Sequence, residues 1–468
     1  MSVSKLVKSS FIYTLGAVLI QGLSFITMPI YTRIISQEVF GQYSLYTSWM
    51  ALIGLFIGIQ TVGSLSIAKV KFADEYDRYA AHALSLSTLS FVTVFSLAFV
   101  CRTYLAAYLG LPESVFLLLV VQSFIGYVGG FLGQYFIQLQ RAKENLILSA
   151  TTAVASVILS LYLLQTMQDD FLARIFGGLV PAIGMAIVSL FYIYRKGKVF
   201  VRKEYLWFTI SVSLPLVFHN LGGQLLGHLG RIMIGQSMTS RDVALYSFGS
   251  GLGTIIQLVL GNINTAWIPW HFDAKRTGNS DLPYYVRNFL ALSLFLTLGY
   301  LTIFPELAFL MGGDRYAESM DVIPLLIISY FLGFLYTFPM NTQFYHGNTK
   351  FVPIGTLFSG LLNGALNLYF IPNFGAKGAA LATLISHMTL FLFHYAIAKK
   401  AYRYDEVPLK VFSILLAIAS GYAYVMNFFI SNIWIRWSLG LVVLIVYAYI
   451  FKKELGIILQ KFKEKQNK

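Results

Sequence analysis

Stretches of about twenty apolar residues recur along this whole chain, separated by short loops, and that recurrence excludes most folds. Each stretch is long enough to cross the ~30 Å hydrocarbon core of a bilayer as a helix. No water is present there to satisfy the backbone, so helices are required. Fourteen candidate spans fall at roughly 9–32, 43–68, 81–100, 115–139, 146–166, 171–193, 206–230, 243–268, 285–305, 322–344, 352–371, 376–398, 408–429 and 434–451. The expected fold class is an all-α polytopic membrane protein of about 14 transmembrane helices.

The loops alternate in positive charge. Roughly three quarters of the 34 Lys and Arg fall on the side that holds both termini and the loops after even-numbered spans. Positive loops prefer the cytoplasm, so both termini are expected inside. Arg195, Lys196, Lys198, Arg202 and Lys203 form the strongest single cluster, and Lys461, Lys463, Lys465 and Lys468 agree with it. Only 12% of residues are charged, against about 25% in a soluble domain. The net charge of +14 is therefore mainly a topology signal, with some attraction to anionic membrane lipid. No soluble basic face exists that would suit nucleic acid. One cysteine, Cys101, excludes an internal disulfide and Cys-based metal motifs. The N-terminal apolar segment is too long for a cleaved signal peptide, and Lys5 and Lys8 hold it inside.

The basic loop at 195–204 divides the chain. Six spans precede it, six follow, and two more close the sequence. Arg33, Glu38-Val39 and Tyr43-Ser44 are echoed by Arg231, Asp242-Val243 and Tyr246-Ser247. Gln138 to Arg141 is echoed by Gln343 to His346, and Leu161-Tyr162 by Leu368-Tyr369. The expected organisation is an N-lobe at 1–199, a C-lobe at 200–402, and two extra helices with a basic cytoplasmic tail at 403–468. Two parallel six-helix repeats imply a site between them that opens alternately to each side. Pro215 and the glycines around it in span 7 are candidate hinge positions; small residues also simply let spans pack closely.

Intramembrane polar residues cost a few kcal/mol each on insertion scales, so they mark candidate function. Asn220, Gln224, His228 and Arg231 recur at helical spacing on one stripe of span 7, with His219 about a hundred degrees round from Asn220. The guanidinium fork of Arg231 suits phosphate oxygens. The plainer readings are snorkelling for Arg231 and interhelical hydrogen bonding for His219 and His228. Gln21, Ser24, Gln60, Asn262 and Asn264 are weaker candidates for the same interior. Lys69, Lys71, Lys275 and Arg276, at the ends of spans 2 and 8, and Arg141, at the end of span 4, are candidates for a cationic inner mouth. Arg33 and Arg174 are candidates for the outer mouth. All seven also read as ordinary interface anchors.

The twenty acidic residues fall in loops or at span ends, Glu306 coming nearest to membrane depth. An interior without carboxylates favours anionic cargo over cations or protons. No paired carboxylate, metal-ligand spacing or phosphate-binding glycine loop appears, so no enzyme, metal or cofactor is expected. A membrane-bound sugar polymerase would need a long outward loop, and the longest, about 306–321, is short.

Three segments carry a resemblance. They are Ile371-Pro372-Asn373-Phe374-Gly375-Ala376-Lys377-Gly378-Ala379-Ala380, the exit of span 1 from Pro29 to Ser44 with Phe40-Gly41, and Gly63 to Lys71. With the span pattern, the chain resembles the Wzx-type oligosaccharide-lipid flippases of the multidrug/oligosaccharidyl-lipid/polysaccharide (MOP) superfamily. The resemblance implies two six-helix lobes in a V around a central cavity. It implies movement of an undecaprenyl-diphosphate-linked oligosaccharide to the outer leaflet of the bacterial cytoplasmic membrane. The purpose would be O-antigen, capsule or exopolysaccharide assembly, with a polymerase among possible partners. The lipid II flippase cousin carries arginines within its first span, where this chain has none before Arg33. A drug or cation antiporter of the same superfamily is the alternative, and those cousins carry an acidic residue in the N-lobe that this chain lacks.

Overall fold

A computed structural model describes residues 22–23, 25–198, 202–452, 454 and 456. Its regular structure is helical, with no strand among the described residues. By packing, the chain divides into two compact units: Met1–Ser247 with Val352–Ala379, and Phe248–Phe351 with Ala380–Lys468.

The first unit contains α1 (25–34), α2 (Gln37–Gly58), α3 (Thr61–Lys71), a 3₁₀ turn (Ala73–Glu75) and α4 (Tyr76–Val100). It continues through α5 (Arg102–Leu109), α6 (Glu113–Gln138), α7 (Ala142–Thr166), α8 (Asp170–Gly197) and α9 (Lys203–Ser237). Side-chain caps set two of the starts. Ser36 accepts from the Val39 amide at 3.2 Å, and Asp169 from the Leu172 amide at 3.0 Å. The unit packs around Leu65, Tyr79, Leu84, Phe131, Tyr135, Ile193 and Tyr205. Glycines let helices approach where lipid gives little hydrophobic drive. A Cβ on Gly177 would lie 2.5 Å from the Ser160 Cα, and one on Gly197 would lie 2.0 Å from the Asp77 carbonyl oxygen.

The sequence reads 43–68 as one span; the structure has two helices there, α2 and α3, bent by 41°. Ile59 and Gln60 both sit in the left-handed region, with φ of 44° and 51°. Non-glycine residues rarely adopt it, and a β-branched one least readily. The break is stitched from outside. The Thr61 hydroxyl lies 2.7 Å from that of Ser87 and 2.6 Å from that of Tyr127. Ser87 also donates to the Gly58 carbonyl at 3.2 Å.

Helix α10 (Ser240–Arg276) begins in the first unit and contributes from Phe248 to the second. The second unit adds α11 (Leu282–Gly312), a 3₁₀ segment (Asp314–Asp321), α12 (Ile323–Leu335) and α13 (Thr337–Tyr345). It closes with α15 (Leu409–Phe428) and α16 (Ile433–Ile450). Phe248, Phe304, Phe331 and Phe412 are among its fully buried rings.

Helix α14 (Phe351–Tyr402) covers two expected spans without a loop. It kinks at Gly375 (φ 57°, ψ −139°), a conformation open essentially to glycine alone. A Cβ on Gly378 would lie 2.1 Å from the Phe370 carbonyl oxygen. These two constraints account physically for the glycines at 375 and 378 of the Ile371–Ala380 segment.

Among the described residues ten helices are long and apolar enough to cross a membrane, or eleven with α2 and α3 taken as one broken span. Helix α14 enters that number once although its kink separates two spans, and the polar α9 lies outside it. The first span falls mostly outside the described residues. The chain is a polytopic all-α membrane protein. Glu306 stands inside α11, further from a helix end than its sequence position suggested. Arg436 of α16, 4% exposed, holds it with two hydrogen bonds of 2.9 and 2.6 Å.

Candidate functional site

Helix α9 carries the polar stripe read from the sequence, and the structure turns much of it toward α2. Gln224 lines a cavity of about 300 Å³ in the first unit. Thr47 and Gly54 of α2, Gln60 of the break, and Gln122 and Ser123 of α6 share its wall. Among the described residues no charged side chain lines it. The Tyr46 hydroxyl donates to Gln122 Oε1 at 2.7 Å, so the Gln122 amide is oriented with its Nε2 directed elsewhere.

One turn further along α9, His228 Nδ1 lies 3.3 Å from the Ser48 hydroxyl oxygen. Ser48 itself donates to the Ser44 carbonyl at 2.8 Å. Donor and acceptor at this contact follow the imidazole tautomer. Arg231 Nη1 stands 3.4 Å from the same nitrogen. Gln224, His228 and Arg231 therefore form one half-buried row facing α2. His219 is placed differently: its Nδ1 lies 3.1 Å from the Thr356 hydroxyl of α14. Asn220 is half-buried beside it. Beyond them α9 and α14 touch so closely that a Cβ on Gly222 would lie 2.5 Å from the Leu357 amide nitrogen.

The expected cationic mouth separates into different settings. Lys69 and Arg141 line a second cavity of the first unit, about 620 Å³, together with Lys196 and the carboxylates of Asp74, Glu75 and Asp77. The Lys69 ammonium sits 4.7 Å from the Tyr76 ring centroid, and Arg141 donates to the Tyr192 hydroxyl at 2.7 Å. Lys71 lies over the Phe208 ring at 4.6 Å and is absent from that cavity wall. In the second unit Lys275 is bonded to Glu406, and Arg276 donates to Asp273 at 2.6 Å. Of the two outer-mouth candidates, Arg33 is exposed. Arg174 is clamped between the rings of Tyr31 and Tyr43, 3.5 and 4.3 Å from their centroids, and donates to Ser160 at 3.1 Å. Gln21 and Ser24 lie outside the described residues.

Sequence reading passed over three polar features. Gln122 is a mid-span amide and was visible by the same rule that selected Gln224. Arg436 sits within the last span and could have been matched with Glu306 on charge alone. His271 of α10, 4% exposed, lies 2.8 Å from Glu406, which follows α14 by four residues; no local pattern announces that pair. Burial alone would raise the Glu406 carboxyl. Hydrogen bonds from His271 and Lys275, and their charges, more than offset this and hold it below the usual carboxylate range. Among the described residues no group of three His, Cys, Asp or Glu could hold a metal ion.

The family model of the polysaccharide biosynthesis proteins matches residues 6–275. An uncharacterized membrane protein of Haemophilus influenzae is 26% identical over 392 residues, 80% of this chain and 94% of its own. Among solved structures, the lipid II flippase MurJ in an inward closed conformation superposes with a TM-score of 0.72 at 14% identity, covering 95% of this chain and 99% of that one. An inward-facing multidrug resistance MATE family transporter of the MOP superfamily gives 0.62 at 15% identity, covering 82% and 94%. At such identities these two likenesses speak to fold. The match over more than half the chain, on an all-α membrane fold shared with MOP-superfamily proteins, makes this chain a member of the polysaccharide biosynthesis protein family.

Proposed function

We propose that the protein is a flippase. It moves a polyprenyl-diphosphate-linked oligosaccharide across the bacterial cytoplasmic membrane, for assembly of O-antigen, capsule or exopolysaccharide. The observation that carries this is the α9 row: an amide, an imidazole and a guanidinium beside a cavity with no carboxylate among its described residues. A diphosphate is recognised by donors and positive charge, and sugar hydroxyls by neutral amides and hydroxyls. Arg231, with His228 and His219 on the same helix, meets the head group. Gln224 and Asn220 meet the sugar. Lys69 and Arg141, with Lys71, Lys275 and Arg276, attract the anion at the cytoplasmic face, and Arg33 and Arg174 stand toward the outer face. The repeats at 1–199 and 200–402 are the alternating lobes, 403–468 adds two helices and a tail, and both termini are cytoplasmic. The family membership and the relatedness in fold to a lipid II flippase support this reading. Loading shifts the access equilibrium by the difference in affinity between states.

Bacteria lacking their own flippase for such an intermediate provide the test. Expression of this chain should restore surface polymer, and Arg231→Ala at equal protein level should not. Restoration of drug resistance without polymer would instead place it with the drug-exporting branch.

A further inference from the structure

Helix α6 carries Gly126, Gly129, Gly130 and Gly133 along one face. Gly126 is part of the wall of the amide cavity already described. It is also part of the wall of a third cavity, about 450 Å³, that runs on along α6. A Cβ on Gly126 or Gly130 would meet nothing within 4 Å, whereas one on Gly129 would lie 3.2 Å from Met185 Cγ and one on Gly133 2.9 Å from Asn145 Oδ1, so the open space lies at Gly126 and Gly130. Opposite it, α7 presents Asn145, Ser149 and Thr152, with Gln134 of α6 completing the polar wall. These α7 positions recur at i, i+4 and i+7, one face of a helix. Ile147, Val154 and Ile158, on the other face, are exposed as lipid-facing residues are. Helix α7 thus turns hydroxyls and an amide inward toward a floor of glycines.

The two cavities meet at Gly126. From Gln122 to Gln134 the axial distance is about 18 Å at 1.5 Å per residue. Volumes of 300 and 450 Å³ lie in the lower part of the ~300–1,000 Å³ range of small-molecule sites. Among the described residues neither wall contains Lys, Arg, Asp or Glu. A ligand lying here is rich in hydroxyls, uncharged, and longer than one ring. Close approach to bare backbone suits the flat, hydrogen-bearing face of a pyranose, and glycine permits it.

We propose that the glycine face of α6 is the seat of the neutral sugars. The first ring lies among Gln60, Gln122 and Gln224, one helical turn from His228, and later rings lie over Gly126 and Gly130 against α7. This deepens the flippase reading and rests on it. The seat is separate in residues from the Arg231 row, so the two can be tested apart.

The full-length protein in lipid nanodiscs is titrated with undecaprenyl diphosphate bearing no sugar, one neutral hexose or three. Each added contact with the seat should tighten binding, by about tenfold in all for the three-sugar probe, the effect of one or two net hydrogen bonds. Gly130→Val and Asn145→Ala should remove the gain from the second and third sugars and leave sugar-free binding within about twofold, which also shows the variants fold. Arg231→Ala should weaken all three probes alike. Equal wild-type affinity for all three probes, or a sugar gain that persists in Gly130→Val and Asn145→Ala, overturns the seat while leaving the flippase reading standing. Failure of every probe to bind overturns both.

Discussion

His228 of α9 and Ser48 of α2, 180 positions apart, are joined at 3.3 Å, and Ser48 also donates to the Ser44 carbonyl at 2.8 Å. Arg231 Nη1 approaches the same nitrogen at 3.4 Å, so Nδ1 joins a hydroxyl and a guanidinium. The Ser48 contact also ties the polar row of α9 to the helix whose break positions Gln60.

A substitution pair reads this contact directly. Asparagine can keep a hydrogen-bonding group near the position of Nδ1, whereas alanine cannot. His228→Ala should slow lipid-linked oligosaccharide movement by about tenfold, the effect of one hydrogen bond. His228→Asn should recover much of the rate at equal protein level. Equal rates for both variants would show that the Ser48 contact is dispensable.

Two adjacent glycines of α9 should behave oppositely. Gly222→Ala drives a methyl into the backbone of Thr356 and Leu357, whereas Gly223→Ala meets nothing within 4 Å. Overpacking of this kind costs about 1–3 kcal/mol. Thermal unfolding in detergent should show a clear drop for Gly222→Ala and little change for Gly223→Ala.

The Glu306–Arg436 pair should show strong coupling. Arg436→Leu leaves a carboxylate inside α11 without its two guanidinium donors and should destabilise by about 3 kcal/mol. Adding Glu306→Leu should restore much of that loss. A double-mutant cycle on unfolding midpoints checks it; additive losses would mean the two side chains do not interact.

Glu406 gives a pH signature. Its folded carboxyl titrates below the ordinary range. The folded state therefore binds the proton less tightly than the unfolded state. Its contribution is full above the unfolded value of about 4.3 and fades as pH falls through the lower folded value. Unfolding midpoints measured from pH 6 downward should fall more steeply for the wild type than for Glu406→Gln. Parallel curves would contradict the pairing with His271 and Lys275.

Strain at the α2–α3 break should trade against transport. Gln60→Gly removes a left-handed non-glycine residue, a relief of about 1 kcal/mol, and also removes an amide from the cavity. The variant should melt higher and transport more slowly. A variant that melts lower would show that Gln60 holds the break by contacts beyond its backbone.

Hydrophobic run length made the helices legible because a bilayer imposes one length on every span. The same rule hid the breaks. Ile59 and Gln60 are ordinary residues by propensity, and the Thr61–Ser87–Tyr127 hydroxyl cluster beside their left-handed break is gathered from three helices. The row of Gln224, His228 and Arg231 was legible because helical spacing fixes a shared face. Which partner that face meets was not, since Ser48 and Gln122 come from distant spans. Nor does sequence tell a paired cation from an unpaired one: Lys69 and Lys275 look alike in the chain, and only the fold sets Glu406 beside the second. The division by packing also groups Val352–Ala379 with the first unit, which sequence order could not suggest.

The most direct test is transport by the purified protein. Liposomes containing it should carry a fluorescent undecaprenyl-diphosphate oligosaccharide from one leaflet to the other, read by quenching with an impermeant reductant. The account predicts movement well above protein-free vesicles, and a loss of at least about tenfold in Arg231→Ala at equal incorporation. Wild-type vesicles that leave the lipid in place, or an Arg231→Ala rate equal to wild type, would contradict it.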